Sequence, residues 1–271
     1  MTTPRKRSEG ALRAVGSRLR GDPGKASDLP ESARWHPARY LLYPLRPLGR
    51  AVIRRRVKVR VVDGQKLPKK GGVILACNHV GIADGPLLGI FAPRPVHALT
   101  KREMFKGFMN RFLLSSGQIP LDRFNADPLA VKRCLRVLRT GNVVGVFPEG
   151  SRGAGEFDRF HTGAAYLAMV TGCPVVPVVQ FGTREPGAGS HSLPARGVVV
   201  DMVFGDPISI PQTPWPRRKR DVAAHSVELR EHLLAHLAHA KQLTGRTLPG
   251  PLPGTETDPD PATGITDMEA S

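Results

Sequence analysis

Short apolar runs recur along the chain, with stretches of helical spacing between them. Residues 73–77, 143–147 and 175–181 are almost entirely apolar, which is typical of strands that are buried on both faces of a sheet. Stretches such as 128–138 and 221–241 repeat their leucines at helical intervals. This alternation predicts an α/β fold in which a mostly parallel sheet is flanked by helices.

The two ends of the chain differ in composition from its middle. Residues 1–30 are rich in Arg, Gly, Ser and Pro, and residues 246–271 are rich in Pro, Gly and acidic side chains, so both are expected to be disordered tails. Residues 31–58 mix aromatic and leucine side chains with arginines, and Pro44 and Pro47 predict two short amphipathic helices that dock on a membrane. A helical hairpin packed on the domain is the alternative. Residues 59–245 then form one domain.

The charge of the chain limits the kinds of partner that it is expected to bind. Forty Lys and Arg residues against 23 Asp and Glu residues give a net charge of +17, which attracts phosphates of nucleic acid or of an anionic membrane. The sequence has no aromatic-rich RNA-binding motif and no clear helix-turn-helix, which argues against nucleic acid. It also has no apolar run near the ~20 residues that span a bilayer and no signal-peptide core. We therefore expect a peripheral protein on the cytoplasmic side of the cell membrane.

The cysteines and a group of histidines were considered as metal or disulfide sites. Cys77, Cys134 and Cys173 show no C-x-x-C spacing and are interpreted as reduced thiols. Four histidines share one face of the last predicted helix, where two of them have the spacing of metal ligands; they are His225, His232, His236 and His239. Because no second cluster of ligands is evident, we interpret them as a polar stripe and predict neither a metal nor another cofactor.

A histidine and an aspartate follow the first buried strand at a spacing that suits catalysis. His79 is expected just past the end of the 73–77 strand, and Asp84 at the start of the next helix. Ligands of open α/β sheets bind at such strand ends. A histidine titrates near neutral pH, and a carboxylate on its second ring nitrogen fixes its tautomer. The pair suits a general base for a substrate hydroxyl; a core histidine beside a capping aspartate is the alternative.

Two further stretches carry groups that suit a phosphorylated substrate. A short predicted strand, 119–121, delivers Arg123 at its end, and a guanidinium binds phosphate through two parallel hydrogen bonds. The 143–147 strand runs into a turn in which Glu149 suits a polyol and Arg152 a phosphate, while Gly150 allows close approach of the backbone. A surface arginine and a simple polar turn are the alternatives.

Taken together, four blocks in order resemble the glycerophospholipid acyltransferases of the 1-acylglycerol-3-phosphate acyltransferase type. The blocks are Asn78-His79-x4-Asp84, Gly117-x-Ile119-Pro120-Leu121-Asp122-Arg123, Phe147-Pro148-Glu149-Gly150-Ser151-Arg152-Gly153 and Val175-Val176-Pro177-Val178. An ordered set is far more specific than any one short motif. The resemblance covers residues 57–207.

The resemblance implies acyl transfer from acyl-CoA or acyl carrier protein to a lysophospholipid acceptor on an anionic membrane. It implies that His79 is the base and Asp84 its partner, and that the remaining site residues bind the acceptor; these are Lys101, Arg123, Glu149, Gly150, Ser151 and Arg152. One departure concerns the acceptor, because His161 stands where the family often has a lysine. Glycerol 3-phosphate or another lysophospholipid or glycolipid acceptor is thus the alternative, followed by a basic binding protein without activity.

Overall fold

The structure is a computed structural model that describes residues 30–254. The basic tail was predicted over residues 1–30, and all of it except residue 30 lies outside the described residues. Residues 255–271 of the predicted acidic tail also lie outside them. The described helices are α1 (Leu45–Arg54), α2 (Asp84–Phe91), α3 (Gly107–Ser115), α4 (Pro128–Arg139), α5 (Gly163–Thr171) and α6 (Lys219–Thr244). The described strands are β1 (Lys58–Val62), β2 (Val73–Cys77), β3 (Val96–Lys101), β4 (Ile119–Leu121), β5 (Val143–Val146), β6 (Val175–Phe181) and β7 (Val199–Phe204).

The seven strands form one sheet in the order β1-β7-β6-β2-β5-β3-β4. Every neighbouring pair is parallel except β6 and β7, which run antiparallel. The α/β fold with a mostly parallel sheet is therefore confirmed.

Both faces of the sheet are covered, which explains the uninterrupted apolar runs of its central strands. Side chains of β2 alternate between the two layers: Ile74 and Ala76 join the core under α4, α5 and α6, whereas Val73, Leu75 and Cys77 join the core under α2. All five are fully buried.

Strand order reverses beside β2. The chain leaves β2 through α2 and reaches β3 on the far side of β5, and it later leaves β5 through α5 and reaches β6 on the other side of β2. The connections after β2 and β5 thus diverge, and a crevice opens between them at the carboxyl ends of these strands. Such a switch point is where open α/β sheets bind their ligands.

The prediction of two helices near the N-terminus is wrong, because residues 31–58 contain one helix, α1. Pro44 is the residue just before α1, and Pro47 lies in its first turn, where a backbone N–H has no intrahelical acceptor, so neither proline divides it. The helix packs on α2: a Cβ at Gly49 would lie 2.8 Å from Ile90 Cδ1. Residues 30–39 form no helix.

Part of the predicted acidic tail is packed against the domain. Arg246 donates through Nε to the Asp201 carboxylate at 3.0 Å, and Pro249 is buried. The described residues 246–254 therefore do not fit the predicted disordered tail. Local sequence patterns do not reveal this packing, because the partners of these residues are distant in the chain. Over residues 30–254, no helix is both long enough and apolar enough to cross a membrane.

Candidate active site

The predicted site residues come together at the carboxyl ends of β2 and β5. The segment Asn78–Asp84 leaves β2, and residues 147–153 leave β5, its neighbour in the sheet. The backbone N–H of Gly153 donates to the carbonyl of His79 at 2.9 Å, which joins the two segments directly. The crevice expected at this switch point would therefore be lined by both of the blocks for which the sequence predicts catalytic chemistry.

His79 and Asp84 form a hydrogen-bonded pair. The distance from His79 Nδ1 to Asp84 Oδ2 is 2.8 Å, and the carboxylate is fully buried. The same Oδ2 accepts the backbone N–H groups of Val80 at 2.7 Å and Gly81 at 2.9 Å. A carboxylate at Nδ1 assigns the proton to that nitrogen, so that Nε2 carries the lone pair. The imidazole is thus oriented as a base.

The end of β5 fixes the other sides of His79. The ring of Phe147 stacks on the imidazole, with 4.3 Å between the centroids and 29° between the planes. Glu149 Oε1 accepts the backbone N–H of His79 at 2.8 Å. Glu149 is buried, which raises the pKa of its carboxyl group to about 8. It supports the backbone of His79 from within the site, a role that the sequence did not indicate.

Two buried amides were missed by the sequence analysis. Asn78 Nδ2 donates to the carbonyl of Gln180 at 3.1 Å, and Asn78 Oδ1 accepts the backbone N–H of Gln180 at 2.8 Å. The side chain of Gln180 in turn donates to the carbonyl of Asp84 at 3.3 Å. These bonds tie the His79 segment to β6 where the ladder between β2 and β6 ends. Only the position of Asn78 beside His79 hinted at this, since Gln180 is about 100 residues away.

Arg123 and Arg152 both contact the loops around the crevice. Arg123 Nη1 donates to the carbonyl of Gly150 at 2.8 Å, and Gly150 has a φ of 72°, a conformation that glycine adopts readily. Arg152 Nη1 donates to the carbonyl of Ser190 at 3.2 Å, and Ser151 beside it is buried. The structure thus places two guanidinium groups, from distant parts of the chain, around one turn.

Lys101 lies farther from His79 in the sheet order. It is the last residue of β3 and stands in register with Leu121, two residues before Arg123. One strand, β5, separates β3 from β2. Lys101 and Arg123 therefore share the carboxyl edge of the sheet, on the side of β5 away from β2.

The backbone amides after His79 are already engaged. The N–H groups of Val80 and Gly81 bind Asp84, and that of Ile82 donates to the carbonyl of Ser190 at 2.9 Å. They are therefore not free to donate to a substrate oxyanion. These three instead hold the turn in shape.

The histidines of α6 contact nearby protein groups. His232 Nε2 lies 2.8 Å from the carbonyl of Asp206, His236 Nε2 lies 3.1 Å from that of Val203, and His225 Nδ1 lies 3.1 Å from Glu228. His236 is buried, and this burial lowers its pKa. Within residues 30–254, no group of three or more His, Cys, Asp or Glu side chains is arranged to hold a metal ion.

Comparisons with known proteins indicate one enzyme family. The family model described as Acyltransferase matches residues 58–180. The 1-acyl-sn-glycerol-3-phosphate acyltransferase of Bacillus subtilis (strain 168) is 30% identical over 161 residues, which are 59% of this chain and 78% of that protein. The protein of the same name from Borreliella burgdorferi is 32% identical over 134 residues, which are 48% of this chain and 53% of that protein.

A solved structure shares the fold. The crystal structure of the 1-acyl-sn-glycerophosphate (LPA) acyltransferase, PlsC, from Thermotoga maritima aligns with a TM-score of 0.53 and 22% sequence identity, covering 73% of this chain and 80% of that one. The mostly parallel sheet and its flanking helices are therefore common to both.

The raised pKa of Glu149 predicts a specific pH dependence of stability. The folded protein keeps a proton on Glu149 up to a pKa of about 8, whereas the unfolded chain loses it near 4.5. The folded protein thus binds this proton more tightly than the unfolded chain does, and the difference adds to the free energy of unfolding. The added stability is complete below pH 4.5 and is lost as the pH rises toward 8. The Glu149→Gln variant cannot lose the proton. The free energy of unfolding of this variant, relative to that of the wild type, should therefore increase with pH, by at most about 1.4 kcal/mol per pH unit.

Urea denaturation between pH 5 and 9 measures this difference. Glu231→Gln, at an exposed position of α6, is the control and should differ from wild type by a constant amount. A constant difference for Glu149→Gln as well would mean that Glu149 is ionised in the folded protein.

Proposed function

The chain belongs to the glycerophospholipid acyltransferases, as an O-acyltransferase of the 1-acyl-sn-glycerol-3-phosphate acyltransferase type, and from this we propose that it makes phosphatidic acid. It would transfer a fatty acyl group from acyl-CoA or acyl carrier protein to the hydroxyl of 1-acylglycerol 3-phosphate, as a step of phospholipid biosynthesis. The observation that carries this proposal is the His79–Asp84 pair, held at the mouth of the crevice by two backbone amides.

His79 acts as the general base in this reaction. Its Nε2 takes the proton of the acceptor hydroxyl while the oxygen attacks the thioester carbonyl. The C–S bond then breaks, and the departing thiolate receives the proton from the imidazolium. Asp84 stabilises the imidazolium that forms in between, because its carboxylate lies 2.8 Å from Nδ1. A positioned base of this kind typically contributes about 10²–10⁴-fold to the rate.

The arginines at the rim would bind the phosphate of the acceptor. Arg123 and Arg152 are each anchored through one Nη1 to a backbone carbonyl, which limits the freedom of the guanidinium before a ligand arrives. The other proposed contacts come from Lys101, Gly150 and Ser151. Glu149 contributes from beneath, through the backbone of His79. The proposed chemistry uses side chains and substrates alone.

The acceptor is best identified by measuring thiol release. Each of several acyl-CoAs is supplied with one acceptor at a time: 1-acylglycerol 3-phosphate, glycerol 3-phosphate, and lysophospholipids with larger head groups. The alternative acceptors stay under test because His161 replaces the lysine common in the family. Turnover restricted to glycerol 3-phosphate or to a larger head group would overturn the proposed acceptor while keeping the reaction class.

Replacing the proposed base should abolish turnover without unfolding the protein. His79→Ala removes the nitrogen that takes the proton, and Asp84→Asn removes the charge that stabilises the imidazolium, so we expect losses of about 10²-fold or more from each. Thiol release with acceptor present is the measurement, and circular dichroism checks the fold. His225→Ala, on α6, should behave as wild type. Near-normal turnover by His79→Ala would exclude it as the base.

Replacing Arg123 or Arg152 should impair turnover of an acceptor that carries a phosphate more than turnover of one that lacks it. Arg123→Ala and Arg152→Ala each remove a charge-assisted contact, which costs on the order of 1.5–3 kcal/mol in acceptor use. Turnover of 1-acylglycerol 3-phosphate is compared with that of a monoacylglycerol, which lacks phosphate. Arg220→Ala, at an exposed position of α6, is the control. Equal losses with both acceptors would show that these arginines maintain the loops rather than bind phosphate.

The N-terminal segment would hold the enzyme on the cytoplasmic side of an anionic membrane. Trp35 and Tyr40 are 77% and 82% exposed, and Leu48 and Val52 form an exposed apolar stripe on α1. Exposed aromatic and leucine side chains beside arginines suit the headgroup boundary of a bilayer. Arg46 and Arg50, however, both donate to the carbonyl of Ile90 at the end of α2. These two arginines belong to the packing of α1.

Vesicle co-sedimentation tests this surface. We expect binding to anionic vesicles but not to neutral ones, weakened though not abolished by high salt, because apolar insertion adds to about 1 kcal/mol per basic residue. The triple variant Trp35→Ala, Tyr40→Ala and Tyr43→Ala should bind markedly less, whereas deletion of residues 1–30 should change little. Trp215→Ala, an exposed tryptophan outside the segment, is the control. Undiminished binding by the triple variant would exclude these aromatics as the anchor.

A further inference from the structure

Arg184 is a buried arginine that joins four segments of the chain around the active site. It lies just after β6 and is only 2% exposed. Its Nε donates to the carbonyl of Val80 at 2.7 Å and its Nη1 to that of Ala188 at 2.8 Å. Its Nη2 donates to the carbonyls of Gly153 at 3.0 Å and Gly250 at 2.5 Å. A buried cation is costly unless its donors are satisfied, and here backbone carbonyls serve that purpose.

Two of these carbonyls belong to the segments that position His79. Val80 follows His79 directly, and while its carbonyl binds Arg184, its N–H binds Asp84 Oδ2 at 2.7 Å. Gly153 accepts from Arg184 through its carbonyl and donates through its N–H to the carbonyl of His79. The Val80 carbonyl that Arg184 binds also shares its peptide group with the N–H of Gly81, which donates to Asp84 Oδ2 at 2.9 Å. Arg184 therefore holds the opposite side of a peptide that binds Asp84.

The packing around the turn leaves little room for any other arrangement. A Cβ at Gly81 would lie 3.3 Å from Arg184 Cβ, tighter than ordinary van der Waals contact. A Cβ at Gly155 would lie 2.4 Å from a methyl carbon of Val80 and 3.6 Å from Leu248. The C-terminal segment 246–250 therefore lies against the loops of the site, and Arg184 bonds to it through Gly250.

We propose that Arg184 is a positioning residue for acyl transfer, and that the C-terminal segment ending at Gly250 is part of the same catalytic unit. Both lie beyond residue 180, where the match to the family model ends. Arg184 holds the peptide between Val80 and Gly81 so that the N–H of Gly81 meets Asp84, and Asp84 in turn holds the imidazole. This inference rests on the proposed role of His79 as the base.

A pair of matched substitutions tests the proposal. Arg94 makes a similar clamp at the opposite end of the sheet, donating to the carbonyls of Pro68, Gly71 and Gly141 at 2.6–2.8 Å. Arg184→Lys and Arg94→Lys should both lower the unfolding temperature, because an ammonium cannot span all of these acceptors. Only Arg184→Lys should lower kcat of the folded enzyme, by about 10- to 100-fold with little change in KM, as expected for a displaced catalytic group.

The outcomes separate positioning from folding and from binding. A fall in kcat for Arg184→Lys alone supports the proposal. Equal kcat values for the two folded variants would reduce Arg184 to a structural role and overturn it. A rise in the acceptor KM with unchanged kcat would instead make Arg184 part of the acceptor site, which also overturns it. His79→Ala is assayed alongside: if that variant turns over normally, the proposed function fails, whereas an inactive His79→Ala with an unaffected Arg184→Lys rejects this inference alone.

A second pair covers the case in which Arg184→Lys does not fold. Gly250 and Gly254 have φ values of 76° and 60°, and a Cβ at either one would meet no atom within 4 Å. Gly250→Val and Gly254→Val thus strain the backbone similarly, but only the first displaces a carbonyl that Arg184 binds. We expect kcat to fall about 2- to 10-fold for Gly250→Val, since one bond of Arg184 is lost and others remain, and to stay at the wild-type value for Gly254→Val. Equal kcat values would overturn the proposal.

Discussion

The fully buried carboxylate of Asp84 is the group on which the geometry of the site depends. Three donors converge on its Oδ2: the amides of Val80 and Gly81 and the ring of His79. Burial removes the water that would screen its charge, so the carboxylate interacts strongly with a proton held on His79. In the proposed mechanism, the imidazolium of the transition state is therefore stabilised more than the neutral imidazole of the ground state, which is the condition for catalysis. Because the amides that hold Asp84 follow His79 directly, the conformation of the turn and the geometry of the pair depend on each other.

Arginines bonded to backbone carbonyls are the common means by which this chain fixes its loops. Arg94 does so at the amino ends of β2 and β5, Arg184 at their carboxyl ends, and Arg46 and Arg50 at the end of α2. Burial even lowers the pKa of Arg46 to about 10. The net charge of +17 is thus divided between internal contacts and the surface. The total charge of the chain therefore overstates the number of arginines that are available to a partner at the surface.

Sequence patterns predicted the parts of the molecule that depend on neighbouring residues. The strands 73–77 and 175–181 lie at the expected residues, because a run buried on both faces must be apolar throughout. A short sequence motif predicted the pairing of His79 with Asp84. No motif predicted the roles of Gln180 and Arg184, because each contacts a turn about 100 residues earlier and shows no local pattern. The prediction of a second N-terminal helix was wrong for a related reason. From the sequence alone, a proline in the first turn of a helix cannot be distinguished from a proline that divides a helix.

The reactive turn between β2 and α2 has too few residues to define its own shape, and it takes its rigidity from loops that the fold gathers at one edge of the sheet. Asn78 ties it to β6, Glu149 to β5, and Arg184 to the loop after β6 and to the C-terminal segment. Each bond fixes one side of the same few peptides. The strand order makes this possible, because β5 and β6 flank β2 and end beside it. In the proposed mechanism, catalytic precision is therefore a property of this set of loops, and we expect substitutions far from His79 in sequence to act on the rate through the backbone of Val80.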